Sequence, residues 1–394
     1  MVAHAFPRAP DDVAGAFVWR LAEALVDRGH SIKVIAPADR GDVGAPMLGS
    51  VEVRRVRYAT ARLETLAYAG TMHTGVARSP LAAVAFAGLV RATARAVGEE
   101  CAGGTVHLIH AHWWVPGGAA CALADRHHRP LVVTLHGTDV RLARRLPGAG
   151  WLMRAVLRRA KVVTAVSSYL ADEAARIARL PRARVPVVPM PLTGTESPTP
   201  PVGIPHGVIF VGRLTRQKGV AYLLDALALL RKQGLPLDLT IVGDGPERVA
   251  LKARALALGL PVVFTGYLPP DQIPDQLAGR RVFVLPSIEE GLGLVVAEAL
   301  AQGVPVVASR SGGIPDLLAE EGAGVLVPPA DVEALAAGIR RVVSDDGYLT
   351  SAVNAGRALL ARLSPAAAAA AFEAVYAEAR GRRSGSGGYT RVQA

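Results

Sequence analysis

Cysteine is nearly absent from this chain. Cys101 and Cys121 are the only two in 394 residues, and neither stands at metal-knuckle or redox-pair spacing. A disulfide framework is therefore excluded, both thiols read as buried and inert, and a reducing cytoplasm fits. Long apolar runs are also missing. The best candidate, which starts at Leu81, is cut by Arg91 and Arg95 before it reaches the roughly 18–20 residues that span a bilayer. The start shows no charged leader, apolar core and cleavage site in succession, so secretion is not expected. No GxxxxGK[ST] phosphate loop occurs, which removes the common ATPases. The nearest approach to a dinucleotide fingerprint is IVGDGPER, where Gly243 and Gly245 fit but Arg248 replaces the third glycine. Asp-x-Asp is absent as well, which argues against a divalent-metal sugar-nucleotide site.

What is present reads as globular: 51% hydrophobic and 20% charged residues. The length predicts two domains of about 190 residues each. Short β-type runs (IKVIAP, HLIHAH, LVVTLH, KVVTAV, VPVVPM, then GVIFVG, LDLTIVG, VVFTGY, VFVLPS, VPVVAS) alternate with helical stretches throughout. Alternation of this kind predicts an α/β protein with doubly wound parallel sheets, whose ligands sit at the C-terminal strand ends. Residues 191–207, rich in Pro, Gly, Ser and Thr, have linker composition and mark the domain boundary. Only MVAHAFP precedes the first helical pattern, so an opening strand must be short or trimmed. The whole excess charge of +11 lies in residues 1–195, which implies an anionic partner for one domain only.

The densest chemistry lies in residues 281–318. An apolar strand leads through Pro286 and a Gly-rich turn, Gly291-Leu292-Gly293, to a helix opening near Leu294. Unpaired amides and the positive helix end suit an anion there. Glu290 on the loop and Glu298 in the helix would not aid a phosphate. They more naturally hold hydroxyl groups on either side of it, and a phosphate between two polyols describes a nucleotide sugar. VGRLTRQKGV places Gly212, Arg213 and Lys218 on another strand-to-helix loop, where two cations could neutralise a pyrophosphate; the alternative is solvated loop charge. In the first half, LHGTDV offers His136 and Asp139 at a strand end, and HLIHAHWWVPGG offers His110, His112, Trp113 and Trp114. An HxH pair can ligate metal, but no partner residue has matching spacing. Residues 139–161 interleave seven basic residues with apolar ones. Arg154, Arg158 and Lys161 at i, i+4, i+7 predict one basic helix face with Trp151 alongside, suited to an anionic membrane or simply solvated. No nucleic-acid recognition motif accompanies it, and nucleic acid is not expected.

These residues together resemble the retaining glycosyltransferases of family 4 (glycosyl transferases group 1) from His4 to about Arg380. The likeness is most specific in FVGRLTRQKG, VGDGPE and PSIEEGLGLVVAEALAQGVPVVAS, with the glutamates in that family's E-x7-E pattern. The resemblance implies the GT-B fold, two Rossmann-like domains facing across a cleft. Residues 1–192 would bind the acceptor and 206–363 the nucleotide-sugar donor. A helix over 364–380 would cross back to the first domain, and 381–394 would form a flexible tail. It also implies transfer, with retained anomeric configuration, from a nucleotide-sugar donor, a UDP- or GDP-sugar, without metal or other cofactor. The basic N-terminal half adds the expectation of a glycan or lipid-linked acceptor at the inner face of the plasma membrane, and the lone thiols that of the cytoplasm. His136, Arg213, Lys218 and Glu290 would be catalytic. Arg213 and Lys218 would hold the diphosphate with Gly212, Gly243 and the 291–294 backbone nearby; Glu290 would meet the sugar and Glu298 the ribose. Asp12, Gly15, His112, Trp113 and Asp139 would lie on the acceptor side. The family's usual Gly-Gly loop falls here at Asp12-Val13, with only Gly15 nearby. The runner-up reading is a nucleotide-sugar epimerase or hydrolase on the same fold. A non-catalytic sensor and a salt-dependent basic binding module complete the rivals.

Overall fold

The computed structural model describes residues 1–12, 14–68, 72, 79–124, 129–192, 206–318 and 323–381. Most of the linker stretch, position 13 and nearly all of the expected tail lie outside the described residues. The chain forms two compact units. One comprises Met1–Val166, Leu170–Met190 and Pro365–Ala394, and the other Ser167–Tyr169 with Pro191–Ser364.

The first unit holds β1 (Lys33–Pro37), β2 (Met47–Leu48), β3 (Val51–Val56), β4 (Ile109–His112), β5 (Leu131–Leu135) and β6 (Val162–Ala165). β1 pairs with β3, and β4, β5 and β6 pair in sequence, all parallel; only the short β2 is antiparallel. Val2 joins the two sets by parallel bridges to Ile35 and Ala111. The expected opening strand is thus reduced to one bridging residue at the centre of the sheet. β4, β5 and β6 are buried along their whole length, as strands covered on both faces must be, which explains their near-continuous apolar sequence. The Pro80–Ala102 helix, N-capped by Ser79, buries Ala85, Leu89, Thr93, Ala96, Val97 and Cys101, and leaves Leu81 and Val84 exposed. The Pro365–Ala379 helix belongs to this unit too, through Phe372, Val375 and an Arg28–Glu373 ion pair at 2.6 Å.

The second unit is a six-stranded, all-parallel sheet of β7 (His206–Val211), β8 (Leu239–Val242), β9 (Val262–Gly266), β10 (Arg280–Leu285), β11 (Val306–Ser309) and β12 (Gly324–Val327). Its order, β12-β11-β10-β7-β8-β9, means the chain winds outward from β7 in one direction and from β10 in the other. β7 and β10 therefore flank a topological switch point, where the loops leaving two neighbouring strands diverge and open a crevice. The first sheet repeats this logic between Val2 and β4.

Candidate functional site

At the switch point of the second unit, residues 212–219 leave β7 for the Val220–Lys232 helix, and residues 286–293 leave β10 for the Leu294–Ala301 helix. The loops touch: the Ile288 N–H donates to the Gln217 carbonyl at 2.7 Å. Gly219 has a φ of 66°, and a Cβ there would sit 2.0 Å from the Pro286 carbonyl oxygen, so no other residue lets the loops approach this closely. Across that seam Lys218 Nζ donates to Glu290 Oε2 at 2.5 Å, with side chains 22% and 14% exposed. The Ser287 hydroxyl donates to the same oxygen and the Gly291 N–H to Oε1, each at 3.2 Å. The two residues expected to divide a diphosphate and a sugar between them are thus each other's ion-pair partner.

Arg213 is exposed on the same loop, and among the described residues no hydrogen bond or ion pair holds its guanidinium. Gly293 caps the Leu294–Ala301 helix, whose first turn has no capping side chain and no acidic residue. Its leading N–H groups remain available to an anion. Leu292 is buried beneath the turn, while Gly291 and Leu294 are half-buried. Glu298 lies in this helix, half-buried, and among the described residues no hydrogen-bond donor reaches its carboxyl group. Burial pushes its carboxyl up to about 7. A carboxylate that costs energy to ionise and lacks a donor is suited to hydroxyl groups brought by a ligand. Gly212 and Gly243 face each other at the ends of β7 and β8. A Cβ on Gly243 would fall 2.0 Å from the Gly212 carbonyl oxygen, and the Gly243 N–H donates to Gly266, so this pair serves loop packing.

In the first unit, the loops after Val2 and β4 bring His4 against Trp113, with ring centres 4.2 Å apart. Trp113 also lies 4.4 Å from His136, and Phe17 lies 5.3 Å from His136. His112 Nδ1 is 3.1 Å from His136 Nε2, while the buried His112 Nε2 finds no partner among the described residues. Burial holds His112 and His136 well below the ordinary imidazole range and lowers His4 to about 4. The pair is therefore neutral, one ring donating and the other accepting. His110 turns to Thr134 Oγ1 at 2.7 Å and to the Tyr376 hydroxyl at 2.8 Å. Both ring nitrogens of His110 and one of His112 are thus engaged, and among the described residues no group of three or more His, Cys, Asp or Glu is placed to hold a metal ion.

Three residues expected on the acceptor side already serve neighbouring groups of the protein. Asp139 is 2% exposed, and its carboxylate accepts from the backbone N–H groups of Trp114, His136, Gly137 and Val140. It fixes the loop backbones and is not free to meet an acceptor. Asp12 is occupied likewise: Oδ2 accepts from Arg8 Nε at 2.6 Å and Oδ1 from the Ala14 N–H at 3.1 Å, while Arg8 also reaches Asp39. Gly15 starts the Ala16–Asp27 helix with a φ of 76°, and a Cβ there would lie 2.1 Å from the Ala5 carbonyl oxygen. Its role is to let the helix entry cross the chain. The basic segment differs too. Its helix ends at Arg159, so Lys161 lies beyond it, and Arg154 donates to the Ile177 carbonyl at 3.1 Å. The exposed face instead carries Trp151 and Leu152, at 72% and 44%, with Arg158 and Arg159.

Sequence reasoning missed His4, Ser287 and Tyr376. Ser287 stood three positions before Glu290 in PSIEEG, a readable turn signal. Tyr376, 266 residues from His110, had no local signal.

The family model Glycosyl transferases group 1 matches residues 204–359, and the model Glycosyltransferase Family 4 matches residues 14–193. The chain is 32% identical over 381 residues to the 2-deoxystreptamine N-acetyl-D-glucosaminyltransferase of Streptomyces fradiae, covering 86% of this chain and 85% of that one. The first curated relatives are matched over only 65%, 40% and 62% of their own lengths. Among solved structures, sucrose-phosphate synthase from Thermosynechococcus elongatus superposes with a TM-score of 0.75 at 21% identity, covering 95% of this chain and 98% of that one. Anabaena Alr3699/HepE in complex with UDP superposes with a TM-score of 0.69 at 22% identity, over 95% and 98%. The architecture is GT-B, and the chain belongs to the group 1 glycosyltransferases, with a family 4 domain in its N-terminal half.

Proposed function

We propose that this glycosyltransferase draws its sugar from a UDP- or GDP-sugar without a bound metal. It transfers that sugar, with retained anomeric configuration, to an acceptor hydroxyl in bacterial glycan, glycolipid or polysaccharide biosynthesis. One observation carries the reading: the loops and helix at the switch point of the second unit hold Arg213, Lys218, Glu290, a helix N-terminus without a capping side chain, and a Glu298 carboxyl with no hydrogen-bond partner among the described residues. The UDP held by HepE supports the donor class. Arg213, Lys218 and the helix amides supply the positive charge that Asp-x-Asp enzymes take from a cation. Glu290 orients the sugar and Glu298 the ribose.

In the step proposed, the acceptor oxygen bonds to the anomeric carbon on the face from which the diphosphate leaves. The breaking C–O electron pair departs with the diphosphate, and the acceptor proton passes to a phosphate oxygen. Charge on the leaving group and its stabilisation by Arg213 and Lys218 dominate, so no strong protein base is required. His136, held neutral against the buried His112, fits the acceptor side as a polar group, not as a base. We place the acceptor at an anionic membrane on the cytoplasmic side, supported by the excess charge of +11 in residues 1–195 and by exposed Trp151 and Leu152 beside Arg158 and Arg159. Thermal-shift screening against UDP-, GDP-, ADP- and dTDP-sugars, followed by product analysis with and without an acceptor, tests the reading. Donor consumption at full rate with no acceptor would favour the epimerase or hydrolase.

A further inference from the structure

We infer that the Lys218–Glu290 pair makes this site prefer a diphosphate that still carries its sugar over the bare nucleoside diphosphate, and so promotes product release. The inference rests on the reading of this crevice as a nucleotide-sugar site.

The geometry carries it. Lys218 Nζ and Glu290 Oε2 are 2.5 Å apart, and both side chains are largely shielded from water. Ser287 donates to the same Glu290 oxygen and the Gly291 amide to the other, so the carboxylate has little freedom to turn away. The backbone is equally confined: a Cβ on Gly312 would lie 1.7 Å from the Glu290 carbonyl oxygen, and one on Gly293 would lie 3.3 Å from Glu290 Cγ. A phosphate that draws Lys218 toward itself therefore takes charge compensation from a carboxylate that stays in place.

Two ligands answer this differently. A sugar nucleotide presents its phosphates to Lys218 and its sugar hydroxyls to Glu290, so both groups find partners. A nucleoside diphosphate presents only anion. It leaves the shielded Glu290 carboxylate with only the neutral Ser287 and Gly291 donors, without its cation and facing added negative charge, a costly arrangement. Once the sugar has moved to the acceptor, the same carboxylate that steadied the donor repels the product.

Charge removal at constant shape separates these effects. Calorimetric titration of the wild type and of Glu290→Gln with UDP, GDP and the matching UDP- and GDP-sugars gives opposite signs under the inference. In Glu290→Gln the nucleoside diphosphate binds tighter by roughly tenfold, as expected when one nearby like charge is removed, and the sugar nucleotide binds more weakly. Lys218→Met, in contrast, weakens both ligands. A melting curve within a few degrees of wild type for each variant shows that the fold is retained. Equal weakening of both ligand types in Glu290→Gln, or unchanged binding of both, overturns the inference while leaving the donor site in place. Failure of the wild type to bind any of these ligands overturns the site reading and the inference together.

Discussion

Lys218 and Glu290 stand 72 residues apart in the chain, yet their charged groups lie 2.5 Å from each other. The strand order produces this proximity. β7 and β10 are neighbours because the chain winds outward from them in opposite directions, and the loops that follow them meet at that point. Lys218→Ala and Glu290→Ala should each lower turnover by two or more orders of magnitude, in the range lost when an oriented charge-stabilising group is removed. Steady-state rates with a saturating donor, alongside unchanged circular dichroism, measure this. Near-normal rates in both variants would exclude the assignment.

The α/β class was legible because buried parallel strands such as LVVTL and VFVL are apolar without interruption and alternate with helices. Glu290, Arg213 and Lys218 were legible because they stand on loops directly after such strands, and Glu298 because it lies in the helix that the second of these loops opens. Asp139 misled, since a carboxylate at a strand end looks chemical from the sequence alone. Only burial at 2% and four backbone donors reveal it as a brace. The opening strand was illegible for a different reason: one bridging residue, Val2, has no periodicity to detect. Lys161 was assigned to a helix by spacing, but the helix ends two residues before it.

Asp139→Ala should destabilise the first unit by about 2–4 kcal/mol, because it strands buried backbone N–H groups. Chemical denaturation with tryptophan fluorescence reads the loss. Donor affinity should stay unchanged, and a variant as stable as wild type would contradict the structural role.

Glu298 gives a pH dependence of known sign. Its folded carboxyl is raised from 4.5 to about 7 by burial, so the folded state holds a proton that the unfolded chain has lost between those values. Stability relative to Glu298→Gln should therefore fall as pH rises from 4.5 to 7 and level off above. Donor affinity should move the opposite way, rising through pH 7, if the carboxylate accepts the ribose hydroxyls. Parallel melting and titration series from pH 5 to 8 check both. A flat difference between wild type and variant would remove Glu298 from this role.

The His112–His136 contact has the converse behaviour. Burial depresses both imidazoles, so the stability they contribute is present above about 6.5 and is lost as pH falls toward their folded values. His112→Asn, which cannot be protonated, should show a shallower acid transition than wild type. Identical acid profiles would show that the pair does not titrate with unfolding.

Membrane contact predicts that Trp151→Ser combined with Arg158→Glu and Arg159→Glu lowers sedimentation with anionic vesicles several-fold, with the effect screened by salt. Neutral vesicles should bind neither protein strongly. Equal sedimentation of wild type and variant with anionic vesicles would end the proposal.

The central claim is that the second unit's crevice activates a nucleotide sugar through Lys218 and Glu290. Proton NMR of donor turnover in the presence of EDTA tests it most directly, using the UDP- or GDP-sugar that best raises the melting temperature. The account predicts a first-formed product with the donor's anomeric configuration, made by the wild type and suppressed at least a hundredfold in Lys218→Ala and Glu290→Ala. Inverted product, strict dependence on a divalent cation, or undiminished turnover in both variants would contradict it.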